Sequence, residues 1–170
     1  MYDEKTVAVV VPAYNEESQI RLVLDMMPDF VDRIVVVNDG SKDATAEVVA
    51  EYIERGCAGG VVIGRRTWDF DDSPYNYALK VLSEMREREE ALYPRSEIYN
   101  DNTTDRIVLV NQENSGVGAA IATGYKWCRD RGIDCTAVMA GDGQMDPAEL
   151  VDIIAPVIVD GVDYVKGNRL

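Results

Sequence analysis

Four short runs of apolar and mostly β-branched residues constrain the fold of this chain more than any other feature. Each run is continuous rather than alternating between apolar and polar residues, as expected of strands that are buried on both faces of a parallel sheet. Stretches with helical spacing of apolar residues lie between them. This alternation predicts an α/β fold, a three-layer sandwich around a mostly parallel central sheet. The predicted strands lie at residues 6–11, 34–37, 107–110 and 136–139.

Helices are predicted where apolar residues recur at i, i+3, i+4 and i+7. Asp146 followed by Pro147 is a strong helix start, with aspartate at the N-cap and proline at the first helical position. Pro156 is expected to kink or end that last helix. These signals place one helix at residues 16–27, a second between a cap at Ser41 or Asp43 and the closing Gly56, and a last one that starts at 147 and has apolar residues up to 158. The segment 115–131, rich in glycine and alanine, is also interpreted as a helix, and 164–167 as a last short strand.

Residues 60–105 interrupt the alternation of strands and helices, because they are too many for an ordinary connection between a helix and a strand. We interpret them as an insertion with its own charged helix near residues 77–92 and an extra short strand at 61–63. The insertion also contains Trp68 and an acidic cluster at residues 69–72. The whole chain, 170 residues, is predicted to form one domain.

The composition excludes several classes of function. A net charge of −14, from 31 acidic and 17 basic residues, repels nucleic acid and anionic surfaces. It suits either a protein from a high-salt cytoplasm or an ordinary acidic protein. The absence of histidine rules out Ser-His-Asp and Cys-His catalysis and any histidine-ligated metal within the chain. Carboxylates, tyrosine, lysine or the substrate itself must therefore supply the chemistry.

Cysteine usage and the N-terminus point to a cytoplasmic protein. The cysteines, Cys57, Cys128 and Cys135, are odd in number and fit no zinc spacing, so free thiols in a reducing compartment are expected. The N-terminus leads directly into a predicted strand, so no signal peptide is expected. No apolar run approaches the roughly 18 residues that a membrane-spanning helix needs.

Two acidic turns follow predicted strands. Asp39 ends the run at residues 34–37, and Asp142 follows the run at 136–139. Ligands of open α/β sheets bind outside the carboxyl ends of the strands. Two carboxylates at that edge suit a nucleotide sugar, one on its ribose or base and the other on a metal ion at its diphosphate. Purely structural explanations also exist, since Asp-Gly is a common turn and Asp146 suffices as a helix cap.

Two further turns carry candidate residues. After the first strand, Tyr14 and Glu16 are not required by a turn and are placed to stack on a base and to bond its polar edge. Residues 114–118 open the fourth helix with two glycines, but Ile121 stands where a dinucleotide fingerprint needs glycine or alanine. A nicotinamide enzyme is therefore a weak alternative.

Asp142 and Gln144 are the candidate metal ligands. Mg²⁺ and Mn²⁺ prefer oxygen ligands and usually take one or two carboxylates together with phosphate oxygens. Residues two apart on an extended loop can direct both side chains to one side. The sequence thus predicts a Mg²⁺ or Mn²⁺ site beside Asp142.

The chain resembles the family 2 glycosyltransferases with the GT-A fold, and most closely the branch of dolichyl-phosphate mannose and polyprenyl-phosphate sugar synthases. The matching motifs are Val-Val-Pro-Ala-Tyr-Asn-Glu at 10–16, Val-Val-Asn-Asp-Gly-Ser at 36–41, Asn-Ser-Gly-Val-Gly-Ala-Ala at 114–120 and Gly-Asp-Gly-Gln-Met-Asp-Pro at 141–147.

This resemblance implies inverting transfer of a sugar from GDP-mannose or a UDP-hexose to an acceptor, with polyprenyl phosphate at the inner face of the membrane as one candidate. Asp142 would bind the metal with help from Gln144 and act in catalysis, and Arg169 would contact the acceptor phosphate or the diphosphate. The residues implied at the nucleotide are Pro12, Tyr14, Glu16, Val37, Asp39 and Gly141.

The chain departs from the family pattern in two places. Ala140 replaces the first carboxylate of the usual Asp-x-Asp, which implies weaker metal binding or compensation by Asp146. The chain also ends at Leu170, soon after the donor half, so the acceptor half is expected to be missing. A noncatalytic or truncated nucleotide-sugar-binding module is therefore the alternative. A nucleotidyltransferase is disfavoured because residues 12–17 contain no lysine or arginine.

Overall fold

The computed structural model describes residues 1–56, 61–65, 76–101 and 104–168. These residues contain a five-stranded sheet with the strand order β3-β4-β2-β1-β5. Strand β1 pairs in parallel with β2 and β5, β2 pairs in parallel with β4, and only β3 is antiparallel to its neighbour. The mostly parallel sheet and its four predicted strands are confirmed. The strands are β1 Val7–Ala13, β2 Arg33–Asp39, β3 Ser96–Ile98, β4 Ile107–Gln112 and β5 Cys135–Val138.

Helices cover both faces of this sheet, and the three-layer sandwich is confirmed. Alternate residues of β1 point to opposite faces, so that Val9 packs in the layer of α1, α2 and α5 while Val10 packs in the layer of α4. Both side chains are 0% exposed. The helices are α1 Ile20–Asp25, α2 Thr45–Glu54, α3 Tyr77–Glu90, α4 Val117–Arg131 and α5 Leu150–Val159.

The first helix is shorter than predicted. Residues 16–19 form turns, and α1 begins only at Ile20. The reason is non-local, because Asn15 adopts a left-handed conformation (φ 58°) and the next backbone N–H groups are bonded to side chains of the neighbouring turn. The predicted start at residue 16 is therefore wrong.

Two predicted short strands are also wrong. Residues 61–63 are irregular, because the carbonyl of Val61 accepts a hydrogen bond from the Arg33 guanidinium (2.6 Å) instead of a strand neighbour. The extra strand of the insertion is β3. Residues 164–168 are irregular as well: Gly161 (φ 69°) turns the chain, and the N–H of Val162 returns to the carbonyl of Pro156.

The start of the last helix is confirmed. The Asp146 carboxylate accepts the backbone N–H of Ala148 (2.9 Å), and Pro147 opens a 3-10 turn, Pro147–Glu149, that leads into α5. Pro156 lies inside α5 and does not end it. No helix in the described ranges is long and apolar enough to cross a membrane.

The charged helix of the insertion is confirmed as α3. Its described side chains include none that is buried. Ion pairs at its C-terminal end join it to α4, between Glu89 and Arg129 (2.9 Å) and between Glu90 and Lys126 (3.2 Å). Cys57, Trp68 and the acidic cluster at 69–72 lie outside the described residues.

Candidate functional site

The turns that follow the parallel strands are bonded to one another along the carboxyl edge of the sheet. Between the turn after β5 and the end of β1, the N–H of Gly141 donates to the carbonyl of Pro12 (3.2 Å). A Cβ at position 141 would lie 3.2 Å from the same carbonyl oxygen, so glycine permits this close approach. Gly141 thereby places Asp142 beside the turn that carries Tyr14 and Glu16.

A second set of hydrogen bonds joins the turn after β1 to the turn after β2. Asn15 lies at its centre: its N–H donates to Oγ of Ser41 (3.0 Å), and its Oδ1 accepts the N–H of Lys42 (2.8 Å). The N–H of Glu16 donates to Oγ1 of Thr45 (2.8 Å). The positions of Tyr14 and Glu16 are therefore fixed from the neighbouring turn.

We expect Asn15→Ala to lower the free energy of unfolding by about 2 kcal/mol, since it loses a hydrogen bond worth about 1 kcal/mol and adds left-handed strain of about 1 kcal/mol. Asn15→Gly is the matched control, because glycine tolerates the observed φ of 58° and loses only the hydrogen bond. Denaturant unfolding measures both variants. Equal losses would show that the backbone conformation at residue 15 carries no strain.

Three carboxylates share the corner between the turns after β1, β2 and β5. The pKa of the half-buried Glu16 carboxyl is raised, first by its burial and then by the negative charges of Asp142 and Asp43. Tyr14 is 44% exposed at the same turn, so its ring is open to a ligand. This corner therefore presents an aromatic ring and concentrated negative charge to solvent.

Glu16→Gln should stabilise the protein at neutral pH in the absence of divalent cations. An acid whose pKa is raised by folding binds its proton more tightly in the folded state, so stability falls as pH rises from its ordinary value of 4.5 through the raised one. Above that window the penalty of ionised Glu16 is fully present, and glutamine removes it. Melting temperatures of both proteins, measured from pH 4 to 8 with a chelator, should diverge with rising pH; a constant difference would contradict this.

One carboxylate oxygen of Asp142 is bonded within its own turn. Its Oδ1 accepts the N–H of Gln144 (3.0 Å), and Gly143 (φ 70°) completes the tight turn. Oδ1 of Asp146, the predicted substitute for a second carboxylate, is occupied by the helix cap. No group of three or more Cys, Asp or Glu side chains that could hold a metal ion occurs among the described residues.

A magnesium-type ion at this corner stays a prediction, and it would need further ligands from waters or a bound phosphate. Mg²⁺ is usually held by one or two carboxylates together with waters and substrate phosphates. The repulsion that raises the pKa of Glu16 is also the field that a divalent cation near Asp142 would relieve. Asp142, with Gln144 beside it, is the residue that would hold the ion.

Asp39 and Val37 lie deeper than the other predicted site residues. Val37 is 0% exposed and Asp39 is 3% exposed. The Asp39 carboxylate accepts hydrogen bonds from the Gln112 side chain and from the backbone of Ser115 and Gly116. Direct contact of Val37 or Asp39 with a nucleoside stays a prediction.

The structure thus gathers Pro12, Tyr14, Glu16, Gly141 and Asp142 around one corner. Gln144 is exposed at the edge of this corner. Arg169 lies outside the described residues, and its predicted contact with phosphate is not addressed by the structure.

Sequence reasoning missed two residues that shape this corner. One is Asn15, whose residue type was the available signal, since asparagine is enriched among non-glycine residues with positive φ. The other is Gln112, a polar residue at the end of a buried strand. Its role could not be predicted from the sequence, because it depends on the pairing of Asp39 with Gln112 across β2 and β4.

The known proteins that resemble this chain are glycosyltransferases. Residues 8–71 match the model of glycosyl transferase family 2. A UDP-N-acetylglucosamine–dolichyl-phosphate N-acetylglucosaminyltransferase of Methanococcus voltae is 28% identical over 169 residues, which cover 98% of this chain and 53% of that protein.

Shorter matches involve dolichyl-phosphate beta-glucosyltransferases. One from Trichomonas vaginalis is 45% identical over 60 residues, covering 29% of this chain and 18% of the relative. The one from Homo sapiens is 36% identical over 62 residues, covering 30% and 19%. The chain spans about half the length of the archaeal relative, 53%, and the matches to the eukaryotic ones cover less. Residues 8–71 are thus similar to glycosyl transferase family 2, and the α/β fold of the chain agrees with this similarity.

Proposed function

We propose that this chain binds the nucleotide-diphospho-sugar donor of a glycosyltransferase that transfers the sugar to a polyprenyl-phosphate acceptor. The observation that carries the proposal is the set of hydrogen bonds along the carboxyl edge of the sheet. These bonds hold Asp142 beside Tyr14 and Glu16. The printed names of the relatives, which specify dolichyl-phosphate and in one case UDP-N-acetylglucosamine, support the choice of substrate classes.

In this proposal the nucleoside lies against the turn after β1. The half-exposed ring of Tyr14 stacks on the base, and the Glu16 carboxylate bonds a polar edge of the base or ribose. Pro12 restricts the backbone near the end of β1, just before this turn. Gly141 lets the backbone that leads to Asp142 pass close to the carbonyl of Pro12.

Asp142 and Gln144 would hold a Mg²⁺ or Mn²⁺ ion on the diphosphate, and this ion, when bound, would stabilise negative charge on the departing nucleoside diphosphate. Transfer forms a bond between an acceptor phosphate oxygen and the anomeric carbon, and it breaks the bond from that carbon to the diphosphate, with inversion. A phosphate dianion is already a nucleophile, so a chain without histidine has no need of a strong base. Arg169 is proposed to contact the acceptor phosphate.

A noncatalytic or truncated nucleotide-sugar-binding module is the second candidate. Ala140 stands where the family usually has a carboxylate, which favours weaker metal binding. In that case the same corner binds the donor and transfer depends on residues elsewhere.

Calorimetric titration with GDP, UDP and their hexose derivatives, each with and without Mn²⁺, tests the proposal. We expect binding of at least one nucleotide diphosphate that strengthens when Mn²⁺ is present. Binding followed by sugar transfer to a short polyprenyl phosphate in detergent supports the enzyme, and binding without transfer supports the module. If no nucleotide diphosphate binds under either condition, both candidates are wrong.

A further inference from the structure

Helix α3 of the insertion presents large apolar side chains to solvent. Leu82 and Met85 are 53% and 59% exposed, and Leu92, just beyond the end of the helix, is 83% exposed. Leu82 and Met85 are three residues apart and therefore lie side by side on the helix surface. We call Leu82, Met85 and Leu92 the apolar row, and no described residue covers it.

Two arginines border the apolar row. Arg86 follows Leu82 by four residues and Arg88 follows Met85 by three, and these are the spacings at which side chains are neighbours on a helix. Both arginines are exposed. Their long side chains can therefore keep their charged ends in a polar layer while Leu82 and Met85 enter an apolar one.

The carboxylates of α3 are turned away from the row or are paired. Glu84 and Glu87 lie one and two positions from Met85, and residues at these spacings do not face each other on a helix. Glu89, which is nearer to the row, is paired with Arg129 of α4 (2.9 Å). In a chain with a net charge of −14, this side of α3 thus combines apolar groups with bordering cations.

That combination fits a lipid surface. A bilayer offers phosphate groups above an apolar interior, and helices that lie in its surface pair leucine-type side chains with flanking lysine or arginine. A second copy of this chain fits less well, because it would bring the same arginines to the border of the row and place like charges side by side.

The apolar row ends close to the carboxyl edge of the sheet. Leu92 precedes Ser96 by four residues, which span at most about 14 Å of extended chain. Ser96 is paired with Gln112 at the end of β4, and Gln112 bonds the side chain of Asp39 (2.7 Å). A lipid surface in contact with α3 would therefore lie on the side of the molecule where a donor and an acceptor would meet.

We propose that α3 rests on a lipid bilayer surface, with the apolar row inserted and the bordering arginines at the level of the lipid phosphates. This contact would bring the carboxyl edge to an acceptor whose phosphate lies in the same surface. The inference rests on the proposed function for its link to that acceptor, whereas the contact with lipid itself requires no nucleotide.

Co-sedimentation with phosphatidylcholine vesicles tests the inference. This lipid carries phosphate without a net charge, so the net charge of the chain is not repelled. We expect the wild-type protein to bind the vesicles and the variant Leu82→Gln/Met85→Gln to bind about tenfold more weakly. Amide hydrogen exchange in α3 should become slower when vesicles are added to the wild-type protein.

Met26→Gln/Val159→Gln is the matched control. It also replaces two exposed apolar side chains, but these lie at the ends of α1 and α5, in the helix layer on the other face of the sheet. Its vesicle binding should equal that of the wild-type protein. Because all four positions are exposed, these substitutions leave the core intact, and circular dichroism verifies that each variant is folded.

Three results would overturn the inference: no vesicle binding by the wild-type protein, undiminished binding by Leu82→Gln/Met85→Gln, or an equal loss in the control. A dimer in sedimentation velocity that this α3 variant dissociates, without vesicle binding, would assign the row to a second copy. Nucleotide titration without vesicles separates the two proposals. If vesicles bind through α3 and no nucleotide diphosphate binds, the proposed function is wrong and the lipid contact stands.

Discussion

Replacing Asp142 by asparagine should remove most of the effect of Mn²⁺ on nucleoside diphosphate affinity. The variant loses the negative charge that would face the cation, and truncating one partner of a close charge pair costs about 3 kcal/mol, or roughly 100-fold in affinity. Asparagine retains Oδ1, so the hydrogen bond from the N–H of Gln144 and the turn itself are preserved. Titrations of the nucleotide with and without Mn²⁺ measure the change.

Asp146→Asn is the matched control for this result. Its retained Oδ1 can still accept the N–H of Ala148, so the helix cap survives while the charge is removed. We expect nearly unchanged Mn²⁺ dependence in this variant. The reverse pattern, with loss at Asp146 and none at Asp142, would place the cation at Asp146 and show that it compensates for Ala140.

Gly124→Ala should be the most destabilising single methyl addition among the glycines described. A Cβ at position 124 would lie 2.3 Å from Cγ1 of Val10, a side chain that is 0% exposed in the centre of β1. Valine has a stiff χ1 and its core neighbours leave no room to rotate, so α4 must move away from the sheet. We expect a loss of about 3 kcal/mol, near the upper end for overpacking, and a melting temperature lower by about 10 °C.

The control for this variant lies in the same helix. Gly118→Ala adds a methyl group that meets nothing within 4 Å, so alanine should raise stability by about 0.5–1 kcal/mol through helix propensity and a less flexible unfolded chain. Thermal unfolding of both variants under identical conditions compares them. Similar stabilities would mean that α4 packs less closely on β1 than the structure shows.

The sequence was sufficient for the parts of the fold that depend on local pattern. Continuous apolar runs marked the buried parallel strands, and helical spacing marked α2, α4 and α5. Strand β3 escaped prediction because its three residues, Ser96–Ile98, are mostly polar and exposed and are ordered by pairing with β4. Such an edge strand leaves no periodic signal.

In the candidate site, too, some features could be predicted from local sequence pattern and others depend on distant residues. The acidic turns were identifiable because aspartates follow buried strands, and their meeting at one edge follows from a parallel sheet. The partners of these turns were not identifiable, because Asp39 bonds residues 73 to 77 positions away. The early end of the predicted first helix has the same origin, since the residues that bond Glu16 and Glu17 belong to the following turn.

The chain of hydrogen bonds along the carboxyl edge has a consequence for protein engineering. Because Gly141 is bonded to Pro12, Asn15 to Ser41, and Asp39 to Ser115, no turn has a shape independent of its neighbour. Grafting one turn from a related protein would therefore import side chains whose partners are absent. A successful exchange of specificity has to transplant the turns after β5, β1, β2 and β4 as one block.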